Sequence, residues 1–184
     1  LPAGECNYIM GNPPFVGYSL QSKEQKADML DIYVDEKGKS YKTAGKIDYV
    51  AGWYFKAAEY IQNTDVRAAF VSTNSITQGE QVAAVWKPLY DRFGIHIDFA
   101  WRTFIWNSES NEKAHVHCVI IGFGCSDNNH MKNLYELSSP KMVKDINPYL
   151  VEGKPVFIEA RRKPICDVPV FVRGSQPTDD GNFI

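Results

Sequence analysis

A chain of 184 residues with formal net charge −2, 44% hydrophobic and 23% charged residues is ordinary for one globular domain with a real core. No apolar run approaches the ~20 residues of a membrane helix, and the N-terminus lacks the basic and apolar regions of a signal peptide. The slight acidity excludes a uniformly basic nucleic-acid coat, while leaving local patches such as Arg161-Arg162-Lys163. Cys6, Cys118, Cys125 and Cys166 show no paired spacing, which fits free thiols in a cytoplasmic protein.

The chain opens on Leu1-Pro2-Ala3-Gly4-Glu5 without an initiator Met and ends on Gly181-Asn182-Phe183-Ile184, as expected of a piece of a longer polypeptide. The apolar run Cys6 to Met10 predicts a buried strand, closed by Gly11-Asn12-Pro13-Pro14-Phe15. Asn12 precedes a proline and is pushed toward extended backbone, while both prolines fix φ and offer carbonyls but no N–H. The loop presents one amide, a free carbonyl and one ring, a set suited to gripping a planar group that bears an amine. Ser22 to Gln25 has capping-box spacing and predicts a helix over Lys23–Ile32. Asp35 to Gly45 is polar and predicts a mobile loop.

Ile47, Val50, Ala51, Tyr54, Ala58 and Ile61 recur at helical spacing, with Tyr49 and Trp53 widening the packed face. Val66 to Val71 predicts a second buried strand, ending in Ser72-Thr73-Asn74-Ser75. Thr77 to Glu80 repeats the capping-box spacing ahead of Val82, Val85, Trp86, Leu89 and Phe93, and Gly94 ends that helix. Ile95 to Trp101 alternates Ile95, Ile97 and Phe99 against His96, Asp98 and Ala100, which is strand period. Ala114 to Phe123 predicts another strand, and Arg102 to Lys113 a long polar hairpin loop carrying two aromatic rings, Phe104 and Trp106. The order strand, helix, strand, helix, hairpin predicts the carboxyl half of an open α/β sheet, with ligands beyond the carboxyl ends of its strands. Leu134 to Leu137 fits a short strand within a connector over 126–145, and the Pro- and Gly-rich stretch 146–184 shows no clear period.

Taken together, several segments resemble the MmeI-type fused restriction-modification enzymes. They are Asn12-Pro13-Pro14-Phe15-Val16-Gly17 with Gln21-Ser22, Lys46-Ile47-Asp48-Tyr49-Val50-Ala51, Phe70 to Gly79, Arg102-Thr103-Phe104 with Trp106, Val116 to Phe123, and Ile146 to Leu150 with Arg161, Pro164 and Pro169. The resemblance implies a Rossmann-like S-adenosylmethionine-dependent methyltransferase sheet, of which residues 1–125 are the catalytic-loop half. It makes 126–145 a connector and 146–184 the truncated start of a target recognition domain. It further implies an adenine-N6 DNA methyltransferase that takes a flipped base. Asn12, Pro13, Pro14 and Phe15 would be the catalytic loop, with Phe15 and Trp106 stacking on the base and Phe104 in reserve. Arg161, Arg162 and Lys163 would touch phosphate on double-stranded DNA. The glycine-rich loop and acidic residues that hold the cofactor in that family have no counterpart here, so the expectation is a fragment inactive alone, partnered by the rest of its polypeptide, in a family that often carries a nuclease domain as well. Two other readings stand beside it: an amino methyltransferase acting on RNA guanine or protein glutamine, and a non-catalytic DNA-binding scaffold.

Other constellations carry less. On a strand His115 and His117 share one face and Cys118 the other, so the three do not converge on a metal. Glu109 and Glu112 fit solvated loop charge, and Gly122-Phe123-Gly124 a strand-ending turn.

Overall fold

The structure, a computed structural model, describes residues 1–106, 116–126, 130–136, 139–161 and 166–167. Glu109, Glu112, His115, Arg162 and Lys163 lie outside the described residues. The elements are β1 (Tyr8–Gly11), α1 (Lys23–Ile32), α2 (Ala51–Tyr60), β2 (Arg67–Thr73), α3 (Gly79–Phe93), β3 (His96–Trp106), β4 (Val116–Gly124), β5 (Lys132–Glu136) and β6 (Ser139–Val143). They build one six-stranded sheet in the order β1-β2-β4-β3-β5-β6. The pairs β1/β2 and β3/β5 are parallel, whereas β2/β4, β3/β4 and β5/β6 are antiparallel. This is a mixed α/β sheet of the expected class, with β4 folding back between β2 and β3.

One face of the sheet carries the core. Ala68, Phe70 and Ser72 of β2, Ile97 and Ala100 of β3, and Val119, Ile121 and Phe123 of β4 are buried beneath Tyr54, Phe55, Val85, Trp86 and Leu89. Tyr54 is the hub, its ring 5.2–5.4 Å from those of Phe70, Trp86 and Phe123. Its hydroxyl meets Ser72 Oγ at 2.7 Å, so burial leaves neither group unpartnered, and desolvation pushes the phenol well above its ordinary range.

The capping box of α1 forms as its spacing predicts. Gln25 N–H donates to Ser22 Oγ at 3.2 Å and Ser22 N–H to Gln25 Oε1 at 3.0 Å. Gly94 ends α3 at φ 61°, again as expected. The second capping box does not form. Thr77 belongs to a 3-10 turn, Asn74–Thr77, and its hydroxyl donates to the Asn74 carbonyl at 2.7 Å. The chain then turns through Gly79 at φ 55°, and α3 starts without a side-chain cap. The 35–45 stretch is a loop whose Asp35 carboxylate accepts from the N–H groups of Lys37 and Lys39, both at 2.9 Å.

Within this sequence β1 pairs with β2; Ile9 packs against the core, and Tyr8 and Met10 lie on the opposite face. Three expectations need correction. α2 begins at Ala51, because Ile47 to Tyr49 run outside the helix and tie into the loop after β1. β3 continues to Trp106 and carries irregularities between Ile97 and Phe99 and between Trp101 and Phe104. The first irregularity breaks the alternation: Ala100 is buried with Ile97, and Phe99 crosses to the other face. The stretch 126–145, expected as a connector, holds β5 and β6 and so extends the sheet.

Candidate functional site at the carboxyl ends of β1 and β2

Open α/β sheets gather ligands at the carboxyl ends of their parallel strands. At the end of β1, Gly11 packs closely under Phe70, whose ring carbons would lie 3.3 Å from a Cβ there. The chain leaves the sheet with Asn12 and Pro14 exposed, Pro13 buried and Phe15 half-buried. Val16 N–H folds back onto the Pro14 carbonyl at 3.2 Å. Among the described residues, neither the Asn12 amide nor the Pro13 carbonyl has a hydrogen-bond partner. A rigid loop thus presents two free acceptors beside a ring.

The loop's exit is fastened from behind. Tyr49 N–H donates to the Val16 carbonyl at 2.9 Å, Gln21 Nε2 to the Ile47 carbonyl at 2.9 Å, and Tyr18 N–H to Asp48 Oδ1 at 3.0 Å. The same carboxylate receives Ser75 from the loop after β2 and Gln81 from the first turn of α3. The 3-10 turn Asn74–Thr77, which holds Ser75, is itself pinned by the buried Trp86, whose indole N–H donates to the Ile76 carbonyl at 2.8 Å. Sequence reading placed Asp48 and Ser75 only inside longer resembling stretches. The available signal was a single acid between apolar Ile47 and Tyr49.

Phe104 and Trp106 ride on β3 rather than in the hairpin loop. Their ring centroids are 6.3 Å apart, and register puts both on the face opposite the helices. β1, β2 and β3 run in the same direction, so these rings and the Asn12–Phe15 loop lie toward one end of the sheet, separated by β2 and β4. Phe15 makes no ring–ring contact with either among the described residues. Arg161 is exposed, and its positive charge helps to lower the Glu159 carboxyl after the larger effect of Lys87.

The described residues hold no cluster of three metal-ligating side chains, and His117 is exposed where Cys118 is buried. No helix among them is long and apolar enough to cross a membrane. An S-adenosylmethionine site needs an acidic side chain free to hold the ribose. The acid beside this loop, Asp48, is fully engaged by protein groups. The acceptors of the loop can take the hydrogens of an amine, and Asp48 is not free to hold the ribose of a cofactor.

The model of the family described as MmeI, DNA-methyltransferase domain, matches residues 3–136. A curated relative, DNA methyltransferase A of Bacillus subtilis (strain 168), is 41% identical over 177 residues, which are 96% of this chain and 20% of that protein. A solved structure of the Type IIL restriction-modification enzyme MmeI in complex with DNA superposes with a TM-score of 0.87 at 49% identity. It covers 100% of this chain and 24% of the solved one, so this chain spans a quarter or less of either relative. Matched by that family over residues 3–136 and similar in sequence and fold to both relatives, the chain belongs to the MmeI DNA-methyltransferase family.

Proposed function

We propose that this region serves a site-specific DNA methyltransferase, probing duplex DNA for a target adenine and methylating its exocyclic N6 amino group once the base is turned out of the stack. The observation that carries this reading is the pair of unengaged acceptors, Asn12 Oδ1 and the Pro13 carbonyl, on a loop held from behind. An exocyclic amine has two hydrogens, and the two acceptors take one each. That orients the nitrogen lone pair and stabilises the positive charge growing on nitrogen. Phe15 stacks on the base, and Trp106 or Phe104 takes its other face. S-adenosylmethionine, when bound, supplies the electrophilic methyl group; residues outside this sequence hold it. Orientation is then the chain's main contribution.

In this reading residues 1–125 are the catalytic-loop half, and 146–184 open the target recognition domain. Arg161, Arg162 and Lys163 lie against phosphate, giving a salt-dependent contact without sequence preference. The complete polypeptide works in the cytoplasm, within a restriction-modification system.

The test is transfer of labelled methyl groups to DNA by the full-length polypeptide and its Asn12→Ala variant. Loss of about a hundredfold or more in kcat is expected for the variant. Undiminished methylation would make the loop structural. Label appearing in RNA or protein instead of DNA would replace adenine as the substrate.

A further inference from the structure

Asp48 is only 6% exposed, and nothing in base binding as described above uses it. Taking a carboxylate out of water is costly unless its oxygens are engaged. Here both are, by groups from three separate segments. Oδ1 accepts the Tyr18 N–H at 3.0 Å and Gln81 Nε2 at 3.2 Å, and Oδ2 accepts the Ser75 hydroxyl. The Asp48 N–H completes the ring by donating to Gln81 Oε1 at 3.2 Å. Tyr18 follows the Asn-Pro-Pro-Phe loop, Ser75 follows β2, and Gln81 sits in the first turn of α3.

We propose that Asp48 is a positioning residue for methyl transfer, fixing the exit of the catalytic loop against the loop after β2. It thereby holds Asn12 and Phe15 at the angle the amino group requires. This rests on the functional reading above. The chemistry asks for an acid rather than mere bulk, because only a group with two acceptor oxygens takes all three donors as they stand. In Asp48→Asn, one amide oxygen still serves Tyr18 and Gln81. The amide nitrogen then faces Ser75, whose hydroxyl is already 2.9 Å from Thr73 Oγ1 and can donate there instead. The variant keeps size and fold, but the charge-assisted bond to Ser75 gives way to a neutral one from the amide N–H, so the tie between the two loops is weakened.

The experiment is steady-state methylation of DNA by the full-length polypeptide, as wild type, Asp48→Asn, Ser75→Ala, the double variant and Asn12→Ala, with thermal unfolding of each. Asp48→Asn is expected to lower kcat about tenfold to a hundredfold, as loop misplacement does. KM for DNA and cofactor should stay within about twofold, and unfolding cooperative. Ser75→Ala removes the same tie outright and should fall at least as far, and the double variant no further than Ser75→Ala alone, since both act on one link. Wild-type kcat in Asp48→Asn beside an inactive Asn12→Ala would overturn the proposal and leave the functional reading intact. So would a loss that disappears once the folded fraction is corrected for. If Asn12→Ala methylates like wild type, the functional reading itself fails and takes this proposal with it. Where Asp48→Asn does not fold, Ser75→Ala decides: an unchanged kcat there refutes the link.

Discussion

Gly122 lies at the centre of the sheet, paired with Ala69 of β2 on one side and Phe99 of β3 on the other. A Cβ at this position would sit 2.1 Å from Phe99 Cε1, 2.5 Å from Cδ1 and 2.7 Å from Cζ. Carbon–carbon contacts need about 3.5 Å or more. Gly122→Ala therefore forces the Phe99 ring off its seat, an overpacking cost of about 1–3 kcal/mol. Replacing a strand glycine by alanine returns roughly 0.5–1 kcal/mol through backbone entropy. The net is a destabilisation of up to about 2.5 kcal/mol, centred near 1, and for a chain of this size each kcal/mol lowers Tm by about 2–4 °C. The assay is thermal unfolding of wild type, Gly122→Ala, Phe99→Ala and the double variant. In the Phe99→Ala background the clash has no partner, so Gly122→Ala should be neutral or slightly stabilising. An equal loss in both backgrounds would show that Phe99 is not what excludes a side chain from position 122.

Two other outcomes are expected. Segment 156–161 is fastened to α3 by the Lys87–Glu159 ion pair and by the Phe157 ring against Tyr90, centroids 5.5 Å apart. The pair lowers the Glu159 carboxyl below its ordinary 4.5 and raises the Lys87 ammonium above its ordinary 10.5. Its contribution is therefore whole between those values, lost as pH falls through the lowered carboxyl value, and lost again as pH rises through the raised ammonium value. NMR shifts of the Phe157 ring should follow both titrations and lie flat in Lys87→Met; identical titrations in the variant would remove the pair from the account. The isolated 184-residue chain should give no calorimetric heat with S-adenosylmethionine at concentrations that saturate the full-length polypeptide. Comparable binding by the isolated chain would locate the cofactor's residues inside this sequence.

What the sequence made legible was local. Ser22 and Gln25 meet within one helical turn, and Gly94 needs only its own backbone, so both signals held. Thr77 and Glu80 carry the same spacing as the first box. The Asn74 carbonyl competes for the Thr77 hydroxyl, and tertiary packing of Trp86 onto Ile76 fixes the turn that presents it. The period of β3 was read correctly up to Ile97, but a bulge leaves no mark in an alternation of apolar residues. The short strand expected at Leu134 to Leu137 is β5, which starts earlier because Lys132, polar in sequence, is buried 3.9 Å from the Asp145 carboxylate; β6 was not read. The catalytic loop stood out because its proline pair dictates backbone shape without outside help. Asp48 did not, since its partners come from three remote stretches of chain and only the fold unites them.

The two irregularities in β3 uncouple its ends. Upstream, Ile97 and Ala100 face the helices; downstream, Phe104 and Trp106 stand on the opposite face. Between Trp101 and Phe104 the strand holds one more residue than β4 opposes to it. Removing that extra residue would restore regular pairing with Phe104 still opposite Cys118, so both rings would keep their face while the local bend is lost. The bulge is thus a phase shifter: it keeps Phe104 and Trp106 on the face of Trp101 although three residues, not two, separate Trp101 from Phe104.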